Sequence, residues 1–575
     1  MKLSPDKKLA GILEPVFAIR TEDDLGIGDT DGVRQMIDWC HKHGLTILQV
    51  LPINETSDDN SPYNAISSLA LESTTIAVSP SHLPDLTAAK FREIATPAVL
   101  NELRTGAVNY PKVRSLKRAL LWEAFQSFLK KHFNKDTERA GQFRAFLAGN
   151  NDWISDYAMF RVLMEEHGNF PTWDTWPAEH QSPSRTWTWL TAQPAARREE
   201  LLQKLQFFMY VQWIAFDQWM QIKEYGTKKQ VYLMGDIPFG VGRYSADVWA
   251  NRAIFDLDWN GGAPPEKVFK VDPFTEKWGQ NWGIPLYKWD VHRERNYDWW
   301  RVRVGNIHKV FHIFRIDHVL GFFRIFSFPW KPDQNAKFLP MTMEEAARHT
   351  GGRLPGFRQY PDDTPEHCDA NQYQGETLLK MVLEASGDTT VVAEDLGVVP
   401  PYVVPALEKL GIPGFKIPHF LRERDDSFVD GKTYPRLSLA TPATHDHPPI
   451  AAMWKDLCRP LQADPHSHEA HISLRDMRHW LKFAGIHGEE PPREFNDRAH
   501  EIILRGILES NSWLAVFMIT DVFGQEGRFN VPGSIGASNW SYRLDKTVRE
   551  LDKDPHLLHK TQLFSRFAKE SHRHP

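Results

Sequence analysis

Three ionisable residues, Arg315, Asp317 and His318, stand together at the end of a short apolar run. The run, residues 310–316, has the composition of a buried parallel strand. An unpaired charge inside a core strand costs several kcal/mol, so these side chains are predicted to lie at the open end of the strand. Parallel sheets carry their ligand sites at the carboxyl ends of their strands, which makes this stretch a candidate site. An ion-paired strand terminus without chemistry is the alternative interpretation.

Carboxylates also follow other apolar runs, at Asp236, Glu394 and Asp446, the last beside His445. No Ser or Cys nucleophile with a partnering base, no glycine-rich phosphate loop and no cysteine cluster stands out, so neither a cofactor nor a metal is expected. Carboxylates with histidines and aromatic residues suit glycoside chemistry, in which one carboxylate attacks the anomeric carbon and a protonated one donates to the leaving oxygen. The sequence leaves open the carboxyl separation, roughly 5–5.5 Å for retention or 6.5–9.5 Å for inversion.

Eight apolar runs along the chain are candidate strands. The first two flank a predicted helix at about 31–42, and strand, helix and strand at this spacing form a βαβ unit with a parallel sheet. Eight strands alternating with helical segments predict the α/β class and a (β/α)8 TIM barrel with its site at the carboxyl ends of the strands. The candidate strands are 11–19, 45–52, 230–238, 310–318, 389–397, 411–417, 438–446 and 512–521.

The barrel is predicted to be interrupted by one large insertion. Residues 1–82 begin the barrel, and residues 83–228 are assigned to a mainly helical inserted subdomain, because their apolar residues recur at helical spacing. Its Trp-rich part, 173–189, is interpreted as packing in preference to a loop at the site. Residues 229–575 complete the barrel, with loop insertions near 256–300 and 331–373.

The composition of the chain indicates which classes of binding partner to expect. With 41% hydrophobic and 25% charged residues, the 575-residue chain is typical of a globular protein, and its net charge of −6 argues against a nucleic-acid partner. No apolar run is long enough for a membrane span, and three scattered cysteines suit a reducing compartment, so a cytoplasmic location is expected. The 21 tryptophans are compatible with carbohydrate binding. The oligomeric state is left open.

Several short motifs, taken in order, resemble the 4-α-glucanotransferases (amylomaltases or disproportionating enzymes) of the α-amylase clan. The resemblance runs along essentially the whole chain, and the joint occurrence of the motifs carries it. The motifs are Leu48-Gln-Val-Leu-Pro, Ser61-Pro-Tyr, Gly235-Asp-Ile-Pro, Ser245-Ala-Asp-Val-Trp-Ala-Asn, Gly261-Gly-Ala-Pro-Pro, Gly279-Gln-Asn-Trp-Gly-Ile-Pro-Leu-Tyr, Phe314-Arg-Ile-Asp-His-Val-Leu-Gly-Phe-Phe, Val392-Ala-Glu-Asp-Leu-Gly-Val, Thr444-His-Asp, Asn530-Val-Pro-Gly and Asn539-Trp.

The resemblance implies a retaining, double-displacement mechanism. Asp317 matches the family nucleophile, Glu394 the acid/base, and Asp446 the third carboxylate, which grips sugar hydroxyls. Arg315 lies two residues before Asp317 on a strand, so both side chains are predicted to face the same way, with the guanidinium orienting the carboxylate. Asp395, next to Glu394, is predicted to face the other way and to be structural.

The resemblance also implies a set of substrate-binding residues. His318 and His445 match hydroxyl donors, and Asp236 a further sugar contact, with structural hydrogen bonding as the alternative for each. Tyr63, in the Ser61-Pro-Tyr motif, and Trp249 match sugar platforms, although core packing is a rival interpretation for Trp249. Residues 261–265 match a loop that folds over the substrate. The remaining assignments to substrate binding are Ser61, Asn530, Pro532 and Arg315.

The expected partners are malto-oligosaccharides and glycogen- or starch-like glucans, with no nucleic acid and no membrane. The chain departs from many amylomaltases after the predicted nucleophile, at residues 321–330, and after Asp446, where His-Pro-Pro follows. These departures leave the preferred donor and acceptor open. An α-glucan hydrolase of the same clan and an inactive glycan-binding protein are the alternatives to a transferase.

Overall fold

The computed structural model describes residues 3–266, 272–532 and 538–574 of the chain. Most of the strands in these ranges form one closed parallel barrel, and the remainder form a separate antiparallel sheet. In chain order the strands are β1 (Leu9–Leu13), β2 (Ile47–Gln49), β3 (Tyr232–Ile237), β4 (Phe255–Ala263), β5 (Gln280–Tyr287), β6 (Ile313–Ile316), β7 (Ile325–Phe328), β8 (Gly356–Arg358), β9 (Thr390–Ala393), β10 (Gly414–Lys416), β11 (Ser438–Ala440) and β12 (Leu514–Met518).

The barrel closes in the order β1, β12, β11, β10, β9, β6, β3, β2. Within the described ranges, each of the eight predicted strand regions contributes one of these barrel strands, so the predicted (β/α)8 architecture is confirmed. All residues of β1 and β12 are buried, as expected for strands covered on both faces. The first strand ends before its predicted limit, because Pro15 has no N–H group to continue the ladder.

Helices surround the barrel and fill the insertions. They are α1 (Thr30–Lys42), α2 (Ala88–Ile94), α3 (Pro97–Leu103), α4 (Tyr110–Lys131), α5 (Glu138–Gly149), α6 (Ile154–Glu166), α7 (Pro183–Thr191), α8 (Ala195–Lys229), α9 (Ala246–Ala250), α10 (Pro273–Trp278), α11 (Trp289–Glu294), α12 (Asp298–Val310), α13 (Leu320–Phe323), α14 (Asn335–Phe338), α15 (Met343–His349), α16 (Pro365–Ala385), α17 (Val403–Leu410), α18 (Ile450–Ala463), α19 (His468–Phe483), α20 (Asp497–Glu509), α21 (Ile519–Phe523), α22 (Val548–Leu551) and α23 (Pro555–Glu570). In the described part of the chain, no helix is both long and apolar enough to cross a membrane.

The chain between β2 and β3 contains α2 to α8. The long helix α8 packs against α6 of this region and also against the barrel helices α1 and α12. It then leads directly into β3, so it belongs to the outer ring of the barrel as well as to the helical region. In the Trp-rich part, Trp173 and Trp176 are buried, and Trp176 stacks on His167 with ring centroids 5.0 Å apart. These contacts match the packing interpretation.

The antiparallel sheet has the order β5, β4, β7, β8. Its strands β4, β5 and β8 lie in or at the edge of the predicted loop insertions, whereas β7 lies between the two. Residues 261–265, predicted as a loop over the substrate, begin inside β4, where Gly261 pairs with Ile284. Residues 255–260 of β4 alternate between apolar and polar side chains, a strand signal that the prediction of a loop insertion overlooked. A separate core, in which Trp330 stacks on Phe338 at 3.9 Å, packs against this sheet.

One buried carboxyl lies at the end of a barrel strand without a partner. Glu14 directly follows β1 and is 0% exposed, and neither of its carboxyl oxygens accepts a hydrogen bond within the described residues. Burial raises the pKa of this carboxyl to about 8, because a charge there is not solvated. The group is therefore held neutral in the folded protein at neutral pH.

We expect Glu14→Gln to flatten the pH dependence of stability. A carboxyl with a raised folded-state pKa contributes stability that is complete below the ordinary value of 4.5 and is lost as pH rises through about 8. The variant should therefore gain melting temperature relative to the natural protein between pH 5 and pH 9. Thermal unfolding across this range measures it, with the exposed Glu199→Gln as control. If melting temperature changes with pH in the same way for the natural protein and for Glu14→Gln, the raised pKa assigned to Glu14 is contradicted.

Candidate active site

The carboxyl ends of β3, β6 and β9 bring the predicted charges to one rim of the barrel. Asp236 of β3 stands opposite Arg315 of β6 in the strand register. Just beyond these strands, the backbone N–H of Asp317 donates to Ile237 O at 3.0 Å, and that of Glu394 donates to Ile316 O at 2.9 Å. Parallel pairing thus fixes the backbone on which both carboxylates are carried.

Arg315 is the centre of this charge cluster. Its guanidinium lies 2.7 Å from Asp236 Oδ2, 2.8 Å from Asp317 Oδ1 and 3.8 Å from Glu394 Oε2. The side chain of Arg315 is 6% exposed, whereas that of Asp317 is 28% exposed. The predicted common orientation of Arg315 and Asp317 is therefore observed, with the carboxylate of Asp317 on the solvent side of the guanidinium. Such charge-assisted contacts fix the orientation of a carboxylate.

Glu394 is held by backbone groups and retains a proton to higher pH than usual. Its Oε2 accepts from the N–H of His318 at 2.8 Å, and its Oε1 from the N–H of Leu396 at 3.1 Å. Burial raises the pKa of Glu394 to about 7; Arg315 opposes this rise and the negative charge of Asp317 adds to it. A carboxyl group near that value can donate a proton and take it back at neutral pH.

His318 contributes its backbone as well as its ring. Its φ of 46° places it in the left-handed region, which is uncommon outside glycine and found at functional sites. Its N–H, held in this conformation, reaches Glu394. Its ring meets Trp282 edge to face at 4.9 Å, and burial lowers its pKa to about 4, so the imidazole is neutral and can donate one hydrogen bond.

Asp446 lies in a second group beside the first. Its Oδ1 accepts from Asn530 Nδ2 at 2.6 Å and lies 3.3 Å from His445 Nε2, and its backbone oxygen accepts from Arg528 at 2.7 Å. Partial burial acts to raise the pKa of Asp446, but His445 and the hydrogen bond from Asn530 outweigh it, so the pKa is lowered. Its side chain keeps 41% exposure and is open to a ligand as an anion.

Tyr63 connects the two groups. Its hydroxyl donates to Asp236 Oδ2 at 2.7 Å, and its ring stacks on His445 at 5.1 Å with 7° between the planes. Trp540 lies 6.0 Å from Tyr63 and 5.9 Å from His445, which makes an aromatic cluster. Ser61 supports this arrangement, since its Oγ accepts from the N–H of Tyr63 at 3.3 Å.

Asp236 is placed behind the cluster. It is 1% exposed and its Oδ2 contacts both Tyr63 and Arg315. Burial raises its pKa to about 7 against the opposing effect of Arg315. These contacts favour the structural alternative, in which Asp236 positions Arg315 and Tyr63; the direct sugar contact stays a prediction.

The sugar-platform prediction for Trp249 is wrong. Trp249 is 1% exposed, its indole N–H donates to His180 O at 2.8 Å, and its ring packs 5.7 Å from that of Phe160. It lies in α9, which packs against α6, so the side chain belongs to the core. Pro532 is exposed, two residues beyond Asn530, and its role in acceptor binding is not tested by these contacts.

The contacts of Asp395 match the structural role predicted for it. It lies two residues beyond β9, is buried, and its Oδ1 accepts from the N–H of Phe415 at 2.6 Å. Trp282, Trp540 and Arg528 were not singled out from the sequence, although both tryptophans lie in motifs that carry the resemblance. Within the described ranges, no group of His, Cys, Asp or Glu side chains is arranged to hold a metal ion.

Comparison with known proteins assigns the family. The profile of glycoside hydrolase family 77, the 4-alpha-glucanotransferases, matches residues 14–548. The chain belongs to this family. The predicted 4-α-glucanotransferase activity and the α-glucan class of substrate are confirmed at that level, as is the resemblance on which they rested.

Relatives within this family match over nearly the whole chain. The 4-alpha-glucanotransferase of Chlamydia caviae is 29% identical over 94% of this chain and 91% of its own length, and that of Chlamydia pneumoniae is 30% identical over 94% and 92%. Amylomaltase from Streptococcus agalactiae in complex with acarbose shares the fold, with a TM-score of 0.73, 22% identity and coverage of 99% of this chain and 100% of that one.

We expect Arg315→Lys to lower kcat/KM by about 10²-fold or more, because one ammonium cannot hold two carboxylates in the geometry of a planar guanidinium. The buried positive charge is kept, so the melting temperature should change little. Disproportionation of maltotriose and thermal unfolding measure the two effects. Arg139 of α5 forms an ion pair with Asp85, and Arg139→Lys is the matched control that should retain activity. Full activity in Arg315→Lys would contradict the central role of this residue.

Proposed function

We propose that the chain transfers α-1,4-glucan segments between malto-oligosaccharides and glycogen-like acceptors by a retaining double displacement. Asp317 attacks the anomeric carbon and forms a glucosyl ester, while the bond from that carbon to the leaving O4 breaks and Glu394 gives its proton to O4. The 4-hydroxyl of an acceptor then attacks the same carbon, Glu394 takes the hydroxyl proton, and the carboxylate of Asp317 is released.

The contacts of Arg315 carry this proposal. Asp317 is oriented by a guanidinium at 2.8 Å and is partly exposed, as a nucleophile must be. Glu394, within 3.8 Å of the same guanidinium, has a pKa of about 7, which suits a group that donates and accepts a proton in one catalytic cycle. Glu394 thus retains its proton to higher pH than usual while it shares one cation with Asp317.

Asp446 supplies a further charge in this mechanism. Its lowered pKa keeps it anionic, and its exposed carboxylate can accept hydrogen bonds from sugar hydroxyls. A fixed negative charge also stabilises the positive charge that develops on the sugar in the oxocarbenium-like transition state. The ring of Tyr63 offers an aromatic surface beside it.

We expect the purified protein to convert maltotriose into a ladder of shorter and longer sugars. Transfer requires that an acceptor hydroxyl reaches the glucosyl ester before water does. Thin-layer or anion-exchange chromatography of the products measures this directly. Glucose and maltose as the only products would indicate a hydrolase, and unchanged maltotriose with retained glucan binding would indicate an inactive binding protein.

We expect Asp317→Asn and Glu394→Gln each to lose about three orders of magnitude or more in rate, because each removes a group that makes or breaks a bond. Their melting temperatures should stay close to that of the natural protein. Asp395→Asn, adjacent to Glu394 but bonded to the backbone N–H of Phe415, is the matched control and should keep most activity in the folded fraction. Near-normal activity in either active-site variant would remove that residue from its proposed role.

We expect kcat/KM for maltotriose to fall as pH rises above about 7. The proton that Glu394 donates is present below its pKa of about 7 and is lost above it, so the rate should drop by about tenfold per pH unit. Initial rates between pH 5.5 and 9 test this. Asp236 also has a pKa of about 7, and persistence of the same decline in Asp236→Asn assigns it to Glu394. A flat profile to pH 9 would contradict the acid/base assignment.

A further inference from the structure

A cavity of about 350 Å³ lies beside the antiparallel sheet. It is lined by no residue of the catalytic cluster, which comprises Asp236, Arg315, Asp317, His318, Glu394 and Asp446. Its walls come from β4, β5, β7 and β8 and from Gln359 just after β8, together with α11, α13 and α16. The volume falls in the range of small-molecule sites. The cavity is therefore large enough to hold a small ligand.

The cavity is separated from the catalytic cluster by the length of β5. Trp282, near the start of β5, contacts His318, whereas Leu286 and Tyr287, at the end of β5, line the cavity. The pairing of β5 with β4 is irregular between these positions, so their separation is at most the roughly 13 Å that four regular strand residues span. Phe239 forms part of the wall between them, since its ring lies 6.3 Å from that of His318 and also lines the cavity. A malto-oligosaccharide of a few units can cover this separation.

Aromatic rings give the cavity its apolar surface. Trp259 of β4 is half-buried, and the guanidinium of Arg358 lies over its ring at 3.8 Å. Trp289 stands against Tyr287 with ring centroids 4.7 Å apart. Both tryptophans line the cavity, and the C–H faces of a pyranose ring pack on such surfaces.

The polar groups of the cavity suit a neutral polyhydroxyl ligand. Asp256 and Asp290 balance Lys288 and Arg358, so the four charged lining residues have no net charge. A balanced set of donors and acceptors favours sugar hydroxyls over a phosphorylated or strongly charged ligand. The Nε of Arg358 is buried and has no hydrogen-bond partner within the described residues, so a donor is available in this wall.

We propose that this cavity is a second, non-catalytic binding site for α-1,4-glucan. It holds one or two glucosyl units of a chain by stacking on Trp259 and by hydrogen bonds to Arg358 and to Gln359 at its rim. A long glucan that occupies both sites is retained between transfer events, whereas a short oligosaccharide is not. The choice of glucan as the ligand rests on the proposed function, but binding at the cavity involves no catalytic step.

Calorimetric titration of the full-length Asp317→Asn variant with maltotriose tests the proposal. We expect two binding events per chain. Adding Trp259→Ala should weaken one of them by about tenfold or more, since truncation of a stacking tryptophan removes most of its contact surface. Adding the exposed Gln359→Ala should weaken the same event without any risk to folding.

Trp282→Ala in the same background is the matched control. This tryptophan lies on the same sheet but next to His318, so its removal should weaken the other binding event and leave the cavity event unchanged. A single binding event in the parent variant, or two events that neither Trp259→Ala nor Gln359→Ala alters, would overturn the proposal. These outcomes can be distinguished from failure of the proposed function. If the protein produces the maltotriose ladder but shows one binding event, only the cavity site is refuted. If it shows two binding events but produces no ladder, only transfer is refuted.

Discussion

The site depends on one buried guanidinium group, that of Arg315, which faces three carboxyl groups. Arg315 cannot neutralise Asp236, Asp317 and Glu394 together, and removal from water makes each extra negative charge costly. Protons are therefore retained on Asp236 and Glu394, each with a pKa of about 7, while Asp317 takes the contact that faces the solvent. The proposed nucleophile, Asp317, and the proposed acid, Glu394, thus share one cation, and the raised pKa of Glu394 suits the acid that a double displacement requires.

The barrel and its principal site were predictable because their signals are local. A strand covered on both faces is a short continuous apolar run, and charges at its end stand out against it. The alternation of side chains along a strand then assigns directions: Arg315 and Asp317 share a face, whereas Asp395, next to Glu394, binds the backbone N–H of Phe415. Closure of the barrel brings these strand ends to one rim, so the sequence order of the motifs translates into proximity.

Other features depend on contacts between distant segments and left no such signal. Nothing in the residue type of Trp249 distinguishes a core indole from a sugar platform, and only the packing of α9 decides it. The antiparallel sheet is different, because residues 255–260 of β4 do alternate between apolar and polar side chains, and the prediction of a loop insertion overlooked this signal. The backbone N–H of His318 serves Glu394 through a left-handed conformation, and Arg528 meets a carbonyl oxygen of Asp446. Backbone donors and acceptors carry no side-chain signature.

The central claim is that Asp317 and Glu394 act on the same anomeric carbon from the positions that Arg315 gives them. Trapping the glycosyl-enzyme tests it most directly: α-maltosyl fluoride, whose leaving group needs no acid, is added to Glu394→Gln, and the digested protein is examined by mass spectrometry. The account predicts a maltosyl adduct on the peptide that contains Asp317, since the second step lacks its base. An adduct on another residue, or fluoride release with inversion of the sugar configuration and no adduct, would contradict it.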